Sequence, residues 1–257
     1  MNVINKDIWL VDNFSPKNPH PPWQCPICNL GILKGDKNTL KIKQSQATKK
    51  AKFSSNFLEV GDATFRFSGF LICQNSQCKE EIAVVGKGLL FASISNEPVS
   101  IQYKGERYSV YYPSYFEPAL NIFSVPNSCS LNIKEQIEKS FSHFFNDANS
   151  CANAMRTALE LILIDQGMLS EKKGFVSLGD RIKEFQKGNA NLGKLLEAAK
   201  WIGNAGSHET NLDKNALLDG YELLQYVIHE LYERKVTFEN LITKADKIIT
   251  LKKPISK

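Results

Sequence analysis

The chain has 257 residues, 42% of them hydrophobic and 23% charged, with a net charge of +5. This is room for one large or two ordinary globular domains, and the balance excludes a disordered, charge-dominated chain. No apolar run approaches the 18 or more residues of a helical membrane span, and "MNVINKDIWL" lacks the apolar stretch of a secretory leader, so a cytoplasmic protein without a membrane role is expected.

The first motif in chain order is "WQCPICNL", with Cys25 and Cys28 on a turn stiffened by Pro26. Its counterpart is "LICQNSQCKE", with Cys73 and Cys78 and the turn-forming Asn75 and Ser76 between them. The spacing is Cys-two-Cys, forty-four residues, then Cys-four-Cys. Zinc takes four thiolates in a tetrahedron, and two tight knuckles can each supply two. The strand-like run before Cys73 fits a zinc ribbon. Four thiolates close the coordination sphere, so the zinc is expected to be structural. Two incidental reduced pairs, or a redox pair at Cys25 and Cys28, are the competing readings. Zinc is favoured because two knuckles in one chain rarely arise by accident, and such pairs belong to a reducing compartment. Cys129 and Cys151 lack partners at ligand spacing, and His20 would be a fifth ligand, so all three are left outside the site.

Between the knuckles, residues 31–60 carry Lys34, Lys37, Lys41, Lys43, Lys49, Lys50 and Lys52 against Asp36 and Glu59. That segment alone accounts for the whole net charge of +5. It is read as an insertion between the two halves of the metal site. Lys41, Lys43, Lys49, Lys50 and Lys52 are candidate phosphate contacts, with Phe53 and Phe57 beside them for base stacking. The competing reading is a solvated, lysine-rich loop.

Strand signals continue to about residue 110. "ATFRFSGFLIC" alternates through Phe65 and Phe67. "EIAVVGKGLLFASIS" reads as a hairpin split at Gly86 and Gly88, and "VSIQYKGERYSVYYP" as strands around a Lys-Gly turn. Tyr111 to Pro126, with Pro113, Pro118 and Pro126, reads as an irregular connection.

From residue 127 the pattern is helical, and no proline interrupts residues 127 to 253. Ile133, Ile137, Phe141 and Phe144 form a stripe of three and four spacing. "CANAMRTALELILIDQG" is a buried helix closed by Gly167, and "SLGDRIKEFQKG" is a short amphipathic one. "NLGKLLEAAKWIG" leads into "WIGNAGSH", and "LDKNALLDGYELLQYVIHELYERK" is a long amphipathic helix with "FENLITKADKIITLKK" after it. The expected fold is therefore α+β. A strand-rich region with a zinc ribbon (1–126) is followed by an all-α helical bundle (127–257).

The knuckles, the proline-bounded linker, "AMRTALELIL", "WIGNAGSH" and the Leu-rich helix after it together resemble the domain of unknown function 4145 family, which is grouped with the HEPN helical domains. The resemblance implies a four- or five-helix bundle, a homodimer, and a setting in anti-phage defence or toxin systems, where many relatives are metal-independent ribonucleases. It assigns Asn204 and His208 to the polar residue and the histidine of the usual signature. The arginine of that signature is absent, because Gly203 stands in its place. Histidine suits acid/base chemistry on a ribose hydroxyl, and the lost cation would leave phosphate charge unsupported. Arg156, with Glu160 one turn on, is the candidate replacement, so Arg156, Glu160, Asn204 and His208 form the candidate catalytic set. The competing readings are an Arg156–Glu160 structural ion pair and a helix that ends or kinks at Gly203 and Gly206, with Asn204 in a left-handed position.

The expected function is nucleic-acid-associated and RNA-directed, with ribonuclease activity as its sharpest form. An inactive HEPN-like scaffolding module, or a sensor subunit docking a partner enzyme from a neighbouring gene, is the alternative.

Overall fold

The computed structural model describes residues 3–51, 64–99, 104–168, 176–208 and 212–251. The chain divides into two compact units. One comprises Asn5–Ile122 together with Phe141–Ala148; the other comprises Met1–Ile4, Phe123–Ser140 and Asn149–Lys257. The α+β class expected from the change in hydrophobic period is the class observed.

The strand-rich unit holds a short helix α1 (Lys6–Trp9), strands β1 (Leu33–Gly35) and β2 (Lys41–Gln44), helix α2 (Gln46–Ala51), and the long strands β3 (Thr64–Cys73), β4 (Glu81–Ala92) and β5 (Arg107–Glu117). All pairings are antiparallel. β3 and β4 are central, β5 lies beyond β4, and β1 and β2 share the far edge of β3. The described part of the lysine-rich segment is thus no solvated loop, since two of its stretches are strands of the sheet.

Alternation along β3 puts Phe65, Phe67, Leu71 and Cys73 on the buried face, joined by Ile82 and Val84 of β4 and Val110 and Phe116 of β5. Tyr111 stacks on Phe14 at 5.4 Å between ring centres and meets the Phe67 ring edge-on at 5.1 Å. Trp23, 1% exposed, packs against Phe116 and Phe145.

Two strand expectations are corrected. Residues 81–92 form one continuous strand, not a hairpin split at Gly86 and Gly88. The glycines sit where β3 lays its phenylalanine rings onto β4. A Cβ at Gly88 would fall 2.2 Å from the Phe65 ring, and one at Gly86 would fall 2.7 Å from Phe67 Cε1. Pro113 lies inside β5 rather than in a connection. It is tolerated at the edge of the sheet, next to a register shift at Val85/Gly86.

The other unit is helical. Its elements are α3 (Leu131–His143), α4 (Ala148–Asp165), α5 (Leu178–Gln186), α6 (Ala190–His208), α7 (Lys214–Ile228), a π-helical turn (His229–Glu233) and α8 (Arg234–Leu251). Ser177 and Asp213 cap α5 and α7 by accepting the backbone N–H groups of Asp180 and Ala216. Gly167 follows α4 with φ +83°, the left-handed closure that glycine adopts without strain. The predicted stripe is buried throughout, with Ile133 and Ile137 at 0% exposure. Met155, Leu159, Ile162 and Leu163 of α4 and Leu217, Leu218, Leu224 and Val227 of α7 are all fully buried. One polar knot lies within this apolar packing: the hydroxyls of Ser140 and Tyr221 are 2.6 Å apart, and Cys151 Sγ is 3.0 Å from Tyr221 Oη. Burial pushes the Tyr221 phenol far above its usual range, so it stays protonated and available to donate. Among the described residues, no helix is long and apolar enough to cross a membrane.

α6 runs unbroken to His208, so the helix does not end at Gly203, and Asn204 has no left-handed backbone. Position 203 holds glycine because α4 leaves little space for a side chain. A Cβ there would meet Arg156 Cβ at 2.9 Å.

Candidate functional site

The two cysteine knuckles converge. The four Sγ atoms of Cys25, Cys28, Cys73 and Cys78 lie within 4.8 Å of one another, with Cys25 to Cys78 at 3.9 Å and Cys28 to Cys73 at 3.7 Å. None of the six cysteines is in a disulfide. Each knuckle is a tight turn that ends in a left-handed residue directly after its second cysteine: Asn29 (φ 52°) follows Cys28, and Lys79 (φ 54°) follows Cys78. In the first turn Asn29 N–H donates to Cys25 O; in the second, Cys78 and Lys79 N–H both donate to Asn75 O. Asn75 thus takes the turn position that Cys25 takes in the first knuckle, and its amide donates to Cys28 Sγ at 3.7 Å. Each knuckle is closed by a ladder-like contact of its own, Gln24 with Ile32 and Cys73 N–H with Glu80 O, and the two are joined by Gln74 N–H donating to Ile32 O and by the pairing of Leu33 with Cys73.

The thiols are not alike. Gly31 N–H, 3.4 Å from Cys28 Sγ, and the N–H of Leu30 favour the thiolate, so Cys28 drops to about 6. Burial pushes Cys73 up to about 12. A cation entering the cluster would therefore find a ready anion at Cys28 and displace a proton from Cys73. The cluster has the donors, the closeness and the partial burial needed to hold a metal ion. His20 is not a ligand. Its ring stacks on Trp23, Nδ1 lies 2.8 Å from Pro21 O, and Nε2 accepts Gly35 N–H at 3.1 Å. Cys129 and Cys151 are buried elsewhere, in the helical unit.

The second feature is the outer face of the sheet. Lys41 and Lys43 are exposed on β2, and the register brings them beside cations that the sequence did not single out. Lys43 pairs with Arg66, and Arg66 pairs with Lys87. In the next row Lys41 pairs with Ser68, Ser68 with Val85, and Val85 with Tyr115. These side chains line an open groove of about 620 Å³ with no acidic residue in its wall. Among the described residues, no carboxylate forms an ion pair with any of its four cations. Lys49 and Lys50 are exposed on α2, away from the groove's wall. Lys52, Phe53 and Phe57 lie outside the described residues.

The third feature is the candidate catalytic set of the helical unit. Asn204 is half-buried on α6, between Gly203, which is buried, and the helix's last turn toward His208. The side chain of His208 lies outside the described residues, although its backbone completes α6. Arg156 is exposed on α4 and rises from the point where Gly203 packs. The expected Arg156–Glu160 pair is corrected, since Glu160 Oε1 is instead 3.8 Å from Arg181 Nε. Arg181, on α5, is the more buried cation and also donates to the carbonyl of Met168, so it is better placed to hold a carboxylate in one position. Trp201, 63% exposed, carries Lys200 Nζ 4.9 Å from its ring centre.

Comparison with known families fits this division of the chain. Residues 138–251 match the family described as a domain of unknown function (DUF4145). Residues 13–116 match a second domain of unknown function (DUF8608), which spans both knuckles and the sheet. No curated protein and no solved structure matches the chain.

Proposed function

We propose that this protein is a zinc-stapled, nucleic-acid-directed binding protein whose sheet face tracks the phosphates of RNA. The observation that carries the reading is the row Lys43–Arg66–Lys87, three cations on directly paired neighbours of three adjacent strands. Like charges placed opposite one another destabilise a sheet. Lysines on the edge strand β2 have an ordinary use in blocking edge-to-edge association. That use does not extend to Arg66 and Lys87, which stand on the two central strands. A polyanion that neutralises the row explains why the repulsion is retained.

Zinc is the metal the cluster fits best. A tetrahedron with Zn–S bonds of about 2.3 Å has S···S edges of about 3.8 Å, and two of the cluster's separations are 3.7 and 3.9 Å. With four thiolates as ligands, the metal's role is to hold the sheet's end together rather than to activate water.

Four neutralised phosphates on a single strand set the slope of log K against log salt at about −2.8. Oligouridine binding, followed by fluorescence anisotropy from low to moderate salt, is expected to have that slope. The double variant Lys43→Gln/Arg66→Gln should bring it to about −1.4. Binding that is indifferent to salt, or unchanged in the double variant, removes the nucleic-acid reading.

A second reading concerns the helical unit and is supported by one contact. Gly203, in the place of the signature arginine, packs on Arg156, so an exposed guanidinium starts from the neighbouring helix beside the vacated position. On this reading His208 moves the proton of a ribose hydroxyl, Asn204 orients the site, and Arg156 steadies phosphate charge in a HEPN-like, homodimeric ribonuclease of a defence or toxin-like system. Single-stranded RNA or transfer RNA should then be cut in the presence of a chelator of free metal, and both His208→Ala and Arg156→Ala should lower cutting at least a hundredfold. RNA that is bound but left intact assigns the chain to the alternative, a binding or scaffolding module that serves a partner enzyme.

A further inference from the structure

The cationic row has a neighbour of different character. Two residues along the strands, about 6.7 Å away, the second row passes from Lys41 through Ser68 to Val85 and ends at Tyr115. Tyr115 is 54% exposed and Val85 43% exposed, so an aromatic ring and an aliphatic side chain stand side by side in water. Each of them is on a strand whose inward residues are core: Val84 is 4% exposed and Phe116 is 6% exposed. The outward positions were therefore free to be polar, as Ser68 and Lys87 are. Tyr115 in addition has no hydrogen bond or ring partner among the described residues.

We infer that the groove takes single-stranded rather than duplex nucleic acid, with the phosphates on Lys43, Arg66 and Lys87 and one base stacked on Tyr115. This rests on the nucleic-acid reading of the same face. Lys87 and Tyr115 are diagonal neighbours on adjacent strands, about 7–8 Å apart and within reach of one ligand spanning both long side chains. A phosphate and its own base are separated by one sugar, a span of that order. A duplex keeps its bases stacked on one another and would present only phosphates to the face, leaving Tyr115 and Val85 without a partner. The groove's volume of about 620 Å³ is in the range that holds a nucleotide-sized group. The register shift at Val85/Gly86 contributes to this arrangement. Ser114 is the extra residue on β5 there, and it lines the groove together with Tyr115 and Val85.

The test uses the full chain and three probes in anisotropy titrations from low to moderate salt, with affinities compared at the lowest: a 12-nucleotide oligouridine, a 12-base-pair RNA duplex, and polyglutamate as competitor. The single strand is expected to bind at least tenfold more tightly than the duplex. Tyr115→Ala should weaken single-strand binding by about 5- to 150-fold, the range for loss of one base–aromatic stack, while duplex binding and the salt slope stay as they were. Tyr115→Phe, which keeps the ring, should restore single-strand affinity. A duplex that binds as well as the single strand, or a Tyr115→Ala variant with unaltered single-strand affinity, overturns this inference and leaves the nucleic-acid reading intact, provided Lys43→Gln/Arg66→Gln still weakens both probes. If that double variant weakens neither probe, or polyglutamate displaces oligouridine at equal charge, the nucleic-acid reading itself fails and the inference with it.

Discussion

Replacing Cys73 by serine is expected to release the metal and unfold the strand-rich unit at temperatures where the parent chain is folded. Cys73 is fully buried at the end of β3, and its Sγ is 3.7 Å from Cys28. A Cβ on Gly31 would fall 2.3 Å from that sulfur, so the first knuckle is folded tightly against it. The ion would join two knuckles separated by forty-four residues. By the chain-entropy rule for cross-links, closing a loop of that length is worth about 4 kcal/mol. Domains of this kind are stable by only about 5–15 kcal/mol in total, so loss of the link alone removes a large part of the margin. Metal content by atomic emission and the melting temperature by circular dichroism provide the check. The parent should carry one zinc per chain and the variant none, with a melting temperature lower by more than about 10 °C. Cys129→Ser, outside the cluster, should keep the metal. A metal-free Cys73→Ser protein that melts with the parent would show that the cluster staples nothing.

Gly86→Ala is expected to be the most damaging single methyl group that can be added to the sheet. The new Cβ would lie 2.1 Å from the carbonyl oxygen of Tyr112, 2.7 Å from Phe67 Cε1 and 2.9 Å from Pro113 Cα. Two of these three atoms are backbone on the neighbouring strand, so rotamer changes cannot relieve the clash. Either β5 separates from β4 at the register shift, or the Phe67 ring leaves the core. The cost belongs at the upper end of overpacking effects, about 3 kcal/mol. Urea unfolding should record it as a lower midpoint, with Gly188→Ala as the reference, since nothing lies within 4 Å of a Cβ at Gly188. Near-equal midpoints for the two variants would mean that the close approach of β5 and Phe67 to Gly86 is wrong. Because the same glycine lies in the groove's wall, Gly86→Ala should also weaken oligouridine binding, whereas Gly188→Ala should not.

These expectations separate what is local in this protein from what is not. The cysteine cluster was legible because knuckle chemistry is written within a few residues: Cys-Pro-Ile-Cys and Cys-Gln-Asn-Ser-Gln-Cys each make their own turn. The helical pattern was legible because the stripe Ile133, Ile137, Phe141 and Phe144 repeats with the period of a helix, and all four residues are buried. Lys41 and Lys43 could be picked out by charge density alone. Arg66, Lys87 and Tyr115 could not. Each is an ordinary residue on its own strand, and only the antiparallel register sets them on one face with the lysines. The one signal available was that Arg66 and Lys87 interrupt strongly apolar strands at outward positions.

Glycine and proline mark the limit most clearly. In "VVGKGLL" and "WIGNAG" the glycines read as breaks, because by themselves they favour turns and helix ends. In the folded chain Gly86 and Gly88 lie within one strand and Gly203 within one helix. Each is there because a neighbouring element, the rings of Phe67 and Phe65 or the root of Arg156, fills the space a side chain would need. Pro113 likewise reads as a break but sits in a strand, because that strand is at the edge. The sequence by itself determined the fold class, the change of period from strand to helix and the four thiols, since hydrophobic periodicity and turn chemistry act over a few residues. The tertiary structure decided which charges meet, where Glu160 finds its cation and which glycines are contacts rather than turns, because each of those depends on a partner far away in the chain.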